Sequence, residues 1–159
     1  TEASSFTEVD LSGLLADMVR EAMRLPDVKI HAEIAEGAHA MGNPTDLRRV
    51  LNNLIENARR YGKSPDTGVA RIELAAIAKD KWILIKIRDH GMGVAPEQLA
   101  NLTKPFYRGE AARTAANGAG LGLAIVQKTI QRMGGAFVLA NSASGGLSAH
   151  IKLQRATRL

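Results

Sequence analysis

Cysteine is absent from this chain of 159 residues, which excludes disulfides and thiolate-held metals and suits a reducing compartment. Aromatic residues are scarce at 4%, so aliphatic side chains must fill the interior. No apolar run approaches the roughly 20 residues that cross a bilayer. No secretory signal opens the sequence, and its first residue is Thr1 where a complete chain begins with Met, so it reads as a piece of a longer protein. No internal repeat, low-complexity segment or long basic run interrupts it.

What is present suffices for one domain with a real core, since 45% of the residues are hydrophobic. The formal net charge is +5. A basic balance suits a polyanion, whether nucleic acid, an anionic lipid surface or a nucleotide. The Lys and Arg residues are dispersed, which argues against nucleic acid.

The most informative stretch is Leu47 to Gly62, LRRVLNNLIENARRYG. Leu47, Val50, Leu51, Leu54, Ile55 and Ala58 recur at the spacing of one buried helix face. Pro44 to Asp46 read as its entry turn and Gly62 as its stop. Asn53, Asn57, Arg60 and Tyr61 share another side. Asn is a mediocre helix former, and two of them one turn apart suggest a polar site. An ordinary amphipathic helix with chance asparagines accounts for the pattern equally well.

Around it, the spacing predicts a short strand over 4–10, a helix from Leu11 to Arg24 capped by Asp10, and a half-buried strand over Val28 to Ile34. Ala38 to Met41 form another short strand. Strands follow at Ala70 to Ala78 and Trp82 to Arg88, joined as a hairpin at Lys79–Asp80. Periodicity fades from Gly91 to Gly120 apart from a short helix at Pro96 to Leu102. So long a weakly patterned stretch inside one domain is a lid or a mobile segment. A helix over Leu121 to Met133 and strands over Ala136 to Ala140 and Leu147 to Leu153 complete the order, with a frayed basic tail from Gln154. Helices thus cover a sheet whose last strands pair through turns, an α/β two-layer sandwich.

Three glycine clusters stand out. Asp89-His90-Gly91-Met92-Gly93 follows the apolar strand, where an acid can aim into a cleft and accept from an amine while glycines admit a ligand. A tight turn with a solvated Asp reads the same way. Gly118-Ala119-Gly120-Leu121-Gly122-Leu123 opens a helix and frees backbone N–H groups for an anion. It is no dinucleotide fingerprint, because Leu123 replaces the last glycine, no strand leads into it, and no acid follows at the required distance. Gly62-Lys63-Ser64 ends like a phosphate loop, but Asn57 stands where its first glycine belongs. Gly145–Gly146 reads simply as a hairpin turn. His31, His39, His90 and His150 show no metal-ligand spacing, and no serine occupies a nucleophile elbow.

Asn53-x-x-x-Asn57-Ala, Asp89-x-Gly91-x-Gly93, Pro105-Phe106 with Arg108, and Gly118-x-Gly120-Leu121-Gly122-Leu123 occur in that order. The ordered set resembles the ATP-binding catalytic domain of bacterial sensor histidine kinases, in the superfamily that also holds gyrase, Hsp90 and MutL. The ARRYG, PEQL, PFYRGEAART and GLGLAIVQ stretches resemble the EnvZ-like osmosensor class. The likeness runs from Asp10 to Leu153. It implies a Bergerat fold: a mixed, mostly antiparallel sheet covered on one face by helices, in one domain over 1–159 with an ATP lid at about 94–119.

By position, the resemblance implies ATP and Mg²⁺ as cofactors, with Asn57 on the metal and Asn53 supporting metal or phosphates. Arg60 and Tyr61 contact phosphate and nucleoside, with Gly62 beside them. Asp89 reads the adenine amine, while Gly91 and Gly93 let the base approach. Arg108, next to Gly109, meets the terminal phosphates. The amides of Gly118, Ala119, Gly120, Leu121, Gly122 and Leu123 cradle the phosphate chain. Asn57, Arg60 and Arg108 are the catalytic candidates, acting by electrostatic positioning.

Three positions depart from the family pattern. Thr103 stands where Phe is frequent, and Ala119 where Thr or Ser is. Asn53 replaces the water-activating Glu of the gyrase and Hsp90 branch, which favours transfer to histidine over hydrolysis. None of the four histidines has the helical acceptor context, so the resemblance places the acceptor on a separate dimerisation domain and, beyond it, a response regulator. It implies the cytoplasmic part of an inner-membrane sensor, monomeric by itself and dimeric when whole, with no nucleic-acid partner. The rival readings are a nucleotide-binding regulatory module without phosphotransfer, and an ATPase of the gyrase type.

Overall fold

The computed structural model describes residues 6–99, 101–103 and 119–156, with the backbone alone for 98 and 119–122. The path runs β1 (Thr7–Asp10), α1 (Leu11–Ala22), β2 (Val28–Ile34), β3 (His39–Gly42) and α2 (Pro44–Tyr61). It continues through β4 (Ala70–Lys79), β5 (Trp82–Asp89), α3 (Pro96–Leu99), α4 (Ala119–Arg132), β6 (Ala136–Asn141) and β7 (Leu147–Gln154). Five strands form one sheet in the order β2-β4-β5-β7-β6. β2 runs parallel to β4, and every other neighbouring pair is antiparallel. β1 and β3 make a separate antiparallel pair.

The two central strands show why the sheet takes helices on one face. Ile83, Ile85, Ile87 and Asp89 of β5 are buried in alternation, as are Ala70, Ile72, Leu74 and Ala76 of β4. Against β4 and β5 lies α2, which buries Leu47, Val50, Leu51, Leu54, Ile55 and Ala58. α1 packs beside β2 and α4 beside β6, giving the expected two-layer α/β sandwich. Each fully buried Leu or Ile contributes roughly 1.5–3 kcal/mol, so the aliphatic core makes up for the scarce aromatics.

Helix ends follow local chemistry. The Gly13 N–H donates to Asp10 Oδ1 at 3.1 Å, the expected cap of α1. α2 begins at Pro44, so the residues expected as an entry turn are its first turn. The Asp46 N–H donates to Asn43 Oδ1 at 3.0 Å, which makes Asn43 the cap, and Pro44 needs no hydrogen bond there.

Two further expectations are corrected. The hairpin turn lies at Asp80–Lys81, because Lys79 pairs with Trp82 and Asp80 takes φ 56°. The chain after Leu153 does not fray at once. Gln154 belongs to β7, the Arg155 N–H donates to Lys81 O at 2.9 Å, and the Ala156 N–H donates to His39 O at 2.9 Å.

Candidate functional site

β5 delivers Asp89 to the end of the sheet with only 7% of its surface exposed. The Gly91 N–H donates to Asp89 Oδ1 at 2.9 Å, and the Leu147 N–H donates to the same oxygen at 3.1 Å. Among the described residues both bonds fall on Oδ1, so Oδ2 can accept from an incoming N–H. Burial pushes the Asp89 carboxyl above its ordinary value, opposed by the two backbone donors.

Backbone closes round this carboxylate where side chains have no room. A Cβ on Gly62 would lie 2.4 Å from Asp89 Cβ, and one on Gly91 would lie 2.7 Å from Gly62 Cα. A Cβ on Gly146 would lie 2.0 Å from Asp89 O. The end of α2, the exit of β5 and the β6–β7 turn therefore meet as bare backbone. Gly145–Gly146 is thus more than the simple hairpin turn expected, since Gly146 forms one side of the Asp89 enclosure.

On α2, Asn57 Nδ2 donates to Asn53 Oδ1 at 3.0 Å. Both side chains are half-buried, and the bond leaves Asn57 Oδ1 as a neutral oxygen donor. Tyr61 is half-buried beside Gly91, whose missing Cβ would lie 3.1 Å from Tyr61 O.

The neighbouring arginines divide. Arg59 donates to Asp27 at 2.9 Å and to Glu56 at 2.9 Å, while exposed Arg60 approaches Glu56 at 3.4 Å. Lys63 joins Asp27 at 3.1 Å. The Arg59 hydrogen bond foremost holds the Glu56 carboxyl below its ordinary value.

The structure brings Tyr61, Gly62, Asp89 and Gly91 into direct contact range, and places Asn53 and Asn57 as a pair on the helix that ends there. Gly93 lies just beyond with φ 75°, against the side chain of Asn141. Ala119, Gly120, Leu121 and Gly122 fall in the first turn of α4, whose amides lack intrahelical partners. The helix begins at Ala119, ahead of the expected Leu121, and Leu123 is buried in the core. Arg108, Gly109 and Gly118 lie outside the described residues, as does most of the stretch expected as a lid.

The sequence reading missed Asn141, Gly146 and Leu147 as parts of this end of the sheet. Only the Gly145–Gly146 pair gave a signal, and a bare turn explains that pair as well.

The histidines sit apart from any metal cluster. His90 Nε2 lies 2.8 Å from Glu73 Oε2, and His150 Nε2 lies 2.8 Å from Ser148 Oγ. His31 and His39 lie in β2 and β3, facing Glu33 and Glu8. Among the described residues no group of three or more His, Cys, Asp or Glu could hold a metal ion. A buried carboxylate whose second oxygen accepts no hydrogen bond among the described residues, walled by glycine backbone and flanked by a polar helix face, can receive a flat ring bearing an amine.

Known proteins resemble this chain in sequence and in fold. BaeS of Escherichia coli, a signal transduction histidine-protein kinase, is 32% identical over 149 residues, covering 91% of this chain and 31% of the relative. The histidine kinase domain of the E. coli osmosensor EnvZ superposes with a TM-score of 0.72 at 30% identity, covering 100% of this chain and 94% of that one. Full-length ShkA, solved in complex with AMPPNP, gives a TM-score of 0.75 at 27% identity, covering 97% of this chain and 32% of that one. The chain spans about a third or less of the length of the curated relatives it matches. Residues 42–157, which include α2, Asp89 and the β6–β7 turn, match the model of one family, and the chain belongs to that family, the histidine kinase-, DNA gyrase B-, and HSP90-like ATPases.

Proposed function

We propose that this chain binds Mg·ATP and transfers the γ-phosphoryl group to a histidine on a separate dimerisation domain, as the catalytic part of a bacterial two-component sensor kinase. The observation that carries the reading is Asp89, buried at 7% exposure against glycine backbone, with both of its hydrogen bonds among the described residues on Oδ1. Adenine presents an amino group to such an oxygen, where guanine presents a carbonyl that repels it. ATP should therefore be preferred to GTP.

The residues present fit Mg²⁺. The amide oxygen of Asn57 is a hard, neutral donor, held by the Asn53 bond, and Mg²⁺ takes its remaining ligands from phosphates and water. When bound, the ion offsets charge on the phosphates during transfer. Among the described residues Arg60 makes a surface pair with Glu56, a weak contact that a phosphate can replace. Tyr61 supports the nucleoside from the same turn. Arg108 and Gly109, in a lid near 94–119, and the amides from Gly118 to Leu123 serve the phosphate chain. Asn53 bears an amide that cannot take a proton from water, which disfavours a gyrase-type hydrolysis.

All four histidines lie in strands or just after one, so the acceptor belongs to another domain, which passes the phosphoryl group to a response regulator. No described helix is long and apolar enough to cross a membrane. On this reading the chain works on the cytoplasmic side of a membrane sensor, and the intact protein is a homodimer. The test mixes this chain with a separately produced acceptor-helix domain and γ-labelled ATP. Label on the acceptor histidine is expected. Tight nucleotide binding without label over a wide concentration range refutes the transfer and leaves a regulatory nucleotide module.

A further inference from the structure

Asn141 ends β6, and its side-chain amide engages both backbone groups of Val94. The Val94 N–H donates to Asn141 Oδ1 at 3.0 Å, and Asn141 Nδ2 donates to Val94 O at 2.6 Å. A side chain here reproduces the two-bond exchange of paired strands. Gly93, one residue earlier, takes φ 75°, and a Cβ there would lie 2.8 Å from Asn141 Oδ1. Val94 itself packs against the core.

The segment from Gly91 to Val94 is thus pinned at both ends, by Asp89 Oδ1 on the Gly91 N–H at 2.9 Å and by Asn141 on Val94. Asn141 and Leu147 are register partners across the β6–β7 turn, and Leu147 is the other backbone donor to Asp89. Arg88 fastens the same turn, with Nη2 donating to Ser144 Oγ at 2.6 Å and to Gly145 O at 3.0 Å. One strand pair therefore fixes Asp89 through Leu147 and the facing backbone through Asn141.

We propose that Asn141 is a positioning residue of the nucleotide site. Acting through Val94, it holds the Gly91–Gly93 backbone against Asp89 and so sets affinity for the adenine end, while phosphoryl transfer itself does not depend on it. This rests on the nucleotide reading above. Asn141 is exposed, so its replacement leaves the core intact.

The test measures Mg·ATP binding by calorimetry and, with an acceptor-helix domain supplied, KM and kcat for transfer. Asn141→Ala should weaken binding and raise KM about tenfold, the order of two lost hydrogen bonds, with kcat within about twofold. Exchange of the Val94 amide with solvent, followed in the nucleotide-free chain, should speed up in the same variant.

Asn141→Asp gives a second readout. Its carboxylate accepts from the Val94 N–H but repels Val94 O, and protonation restores a donor. The wild-type to variant affinity ratio should therefore narrow as pH falls, a ratio in which the titration of Asp89 cancels. An unchanged KM in Asn141→Ala, an equal fall of kcat and affinity, or a pH-independent ratio for Asn141→Asp overturns the proposal. Failure of the wild-type chain to bind Mg·ATP, with Val94 exchange still altered, would instead sink the nucleotide reading and the positioning role with it.

Discussion

The Cβ that Gly62 lacks would fall 2.4 Å from Asp89 Cβ and 2.5 Å from Asp89 Cγ. The last residue position after α2 is therefore shaped by a side chain at the end of β5, and the polar face of α2 is held at a fixed distance from the buried carboxylate. Gly62→Ala must push these two elements apart. Overpacking of this kind costs about 1–3 kcal/mol, so the unfolding midpoint should fall by several degrees. Nucleotide affinity should fall more than tenfold, and calorimetry on the folded variant checks it.

Asp89→Asn separates stability from binding. The folded value of Asp89 is raised by burial, so ionisation costs the native state more than the unfolded one. That cost is absent at low pH and grows as pH rises from the ordinary carboxyl value through the raised one. The Asn variant, which keeps an oxygen for the Gly91 and Leu147 donors, should melt at a higher temperature than the wild type at neutral pH. The advantage should vanish in acid, while ATP affinity falls at least tenfold at neutral pH. Melting curves across pH, paired with titrations, test both halves.

Asn57→Ala should abolish the Mg²⁺-dependent part of ATP affinity while costing only about 0.5–1.5 kcal/mol of stability through the lost bond to Asn53. Titrations with and without Mg²⁺ measure the difference. Full Mg·ATP affinity in that variant refutes the metal assignment.

Asp27 gathers Arg59 and Lys63 at the end of α2. Its carboxyl is held below the ordinary value, foremost by the Lys63 hydrogen bond. A lowered acid stabilises the fold above its unfolded value and loses that contribution as pH falls through the lower, folded one. Asp27→Asn should therefore lower the melting temperature by about 2 °C at neutral pH, as expected of a partly exposed pair. The gap should close in strong acid and shrink in high salt.

Much of the fold was legible because hydrophobic periodicity is local. The apolar run from Trp82 to Arg88 marked a strand, and the three- and four-residue spacing from Leu47 to Ala58 marked a helix and its buried face. Errors fell at the ends, where single residues decide: Asn43 moved the start of α2, and the Lys79–Trp82 pairing moved the hairpin turn. The pairing of Asn53 with Asn57 was readable too, since a helix alone places residues one turn apart on the same side.

By itself, then, the sequence determined the elements, the polar side of α2 and the acid that ends β5. The tertiary structure alone decided what surrounds that acid. Leu147 reaches Asp89, and Asn141 reaches Val94, from far along the chain, and both contacts exist because β7 lies next to β5 and β6 next to β7 in the sheet order. Burial patterns record which side of a strand faces inward but not which strand lies beside it. Gly146 and Asn141 therefore looked like a turn in the sequence, and became walls of the site only when strand order and register carried that turn to the end of β5.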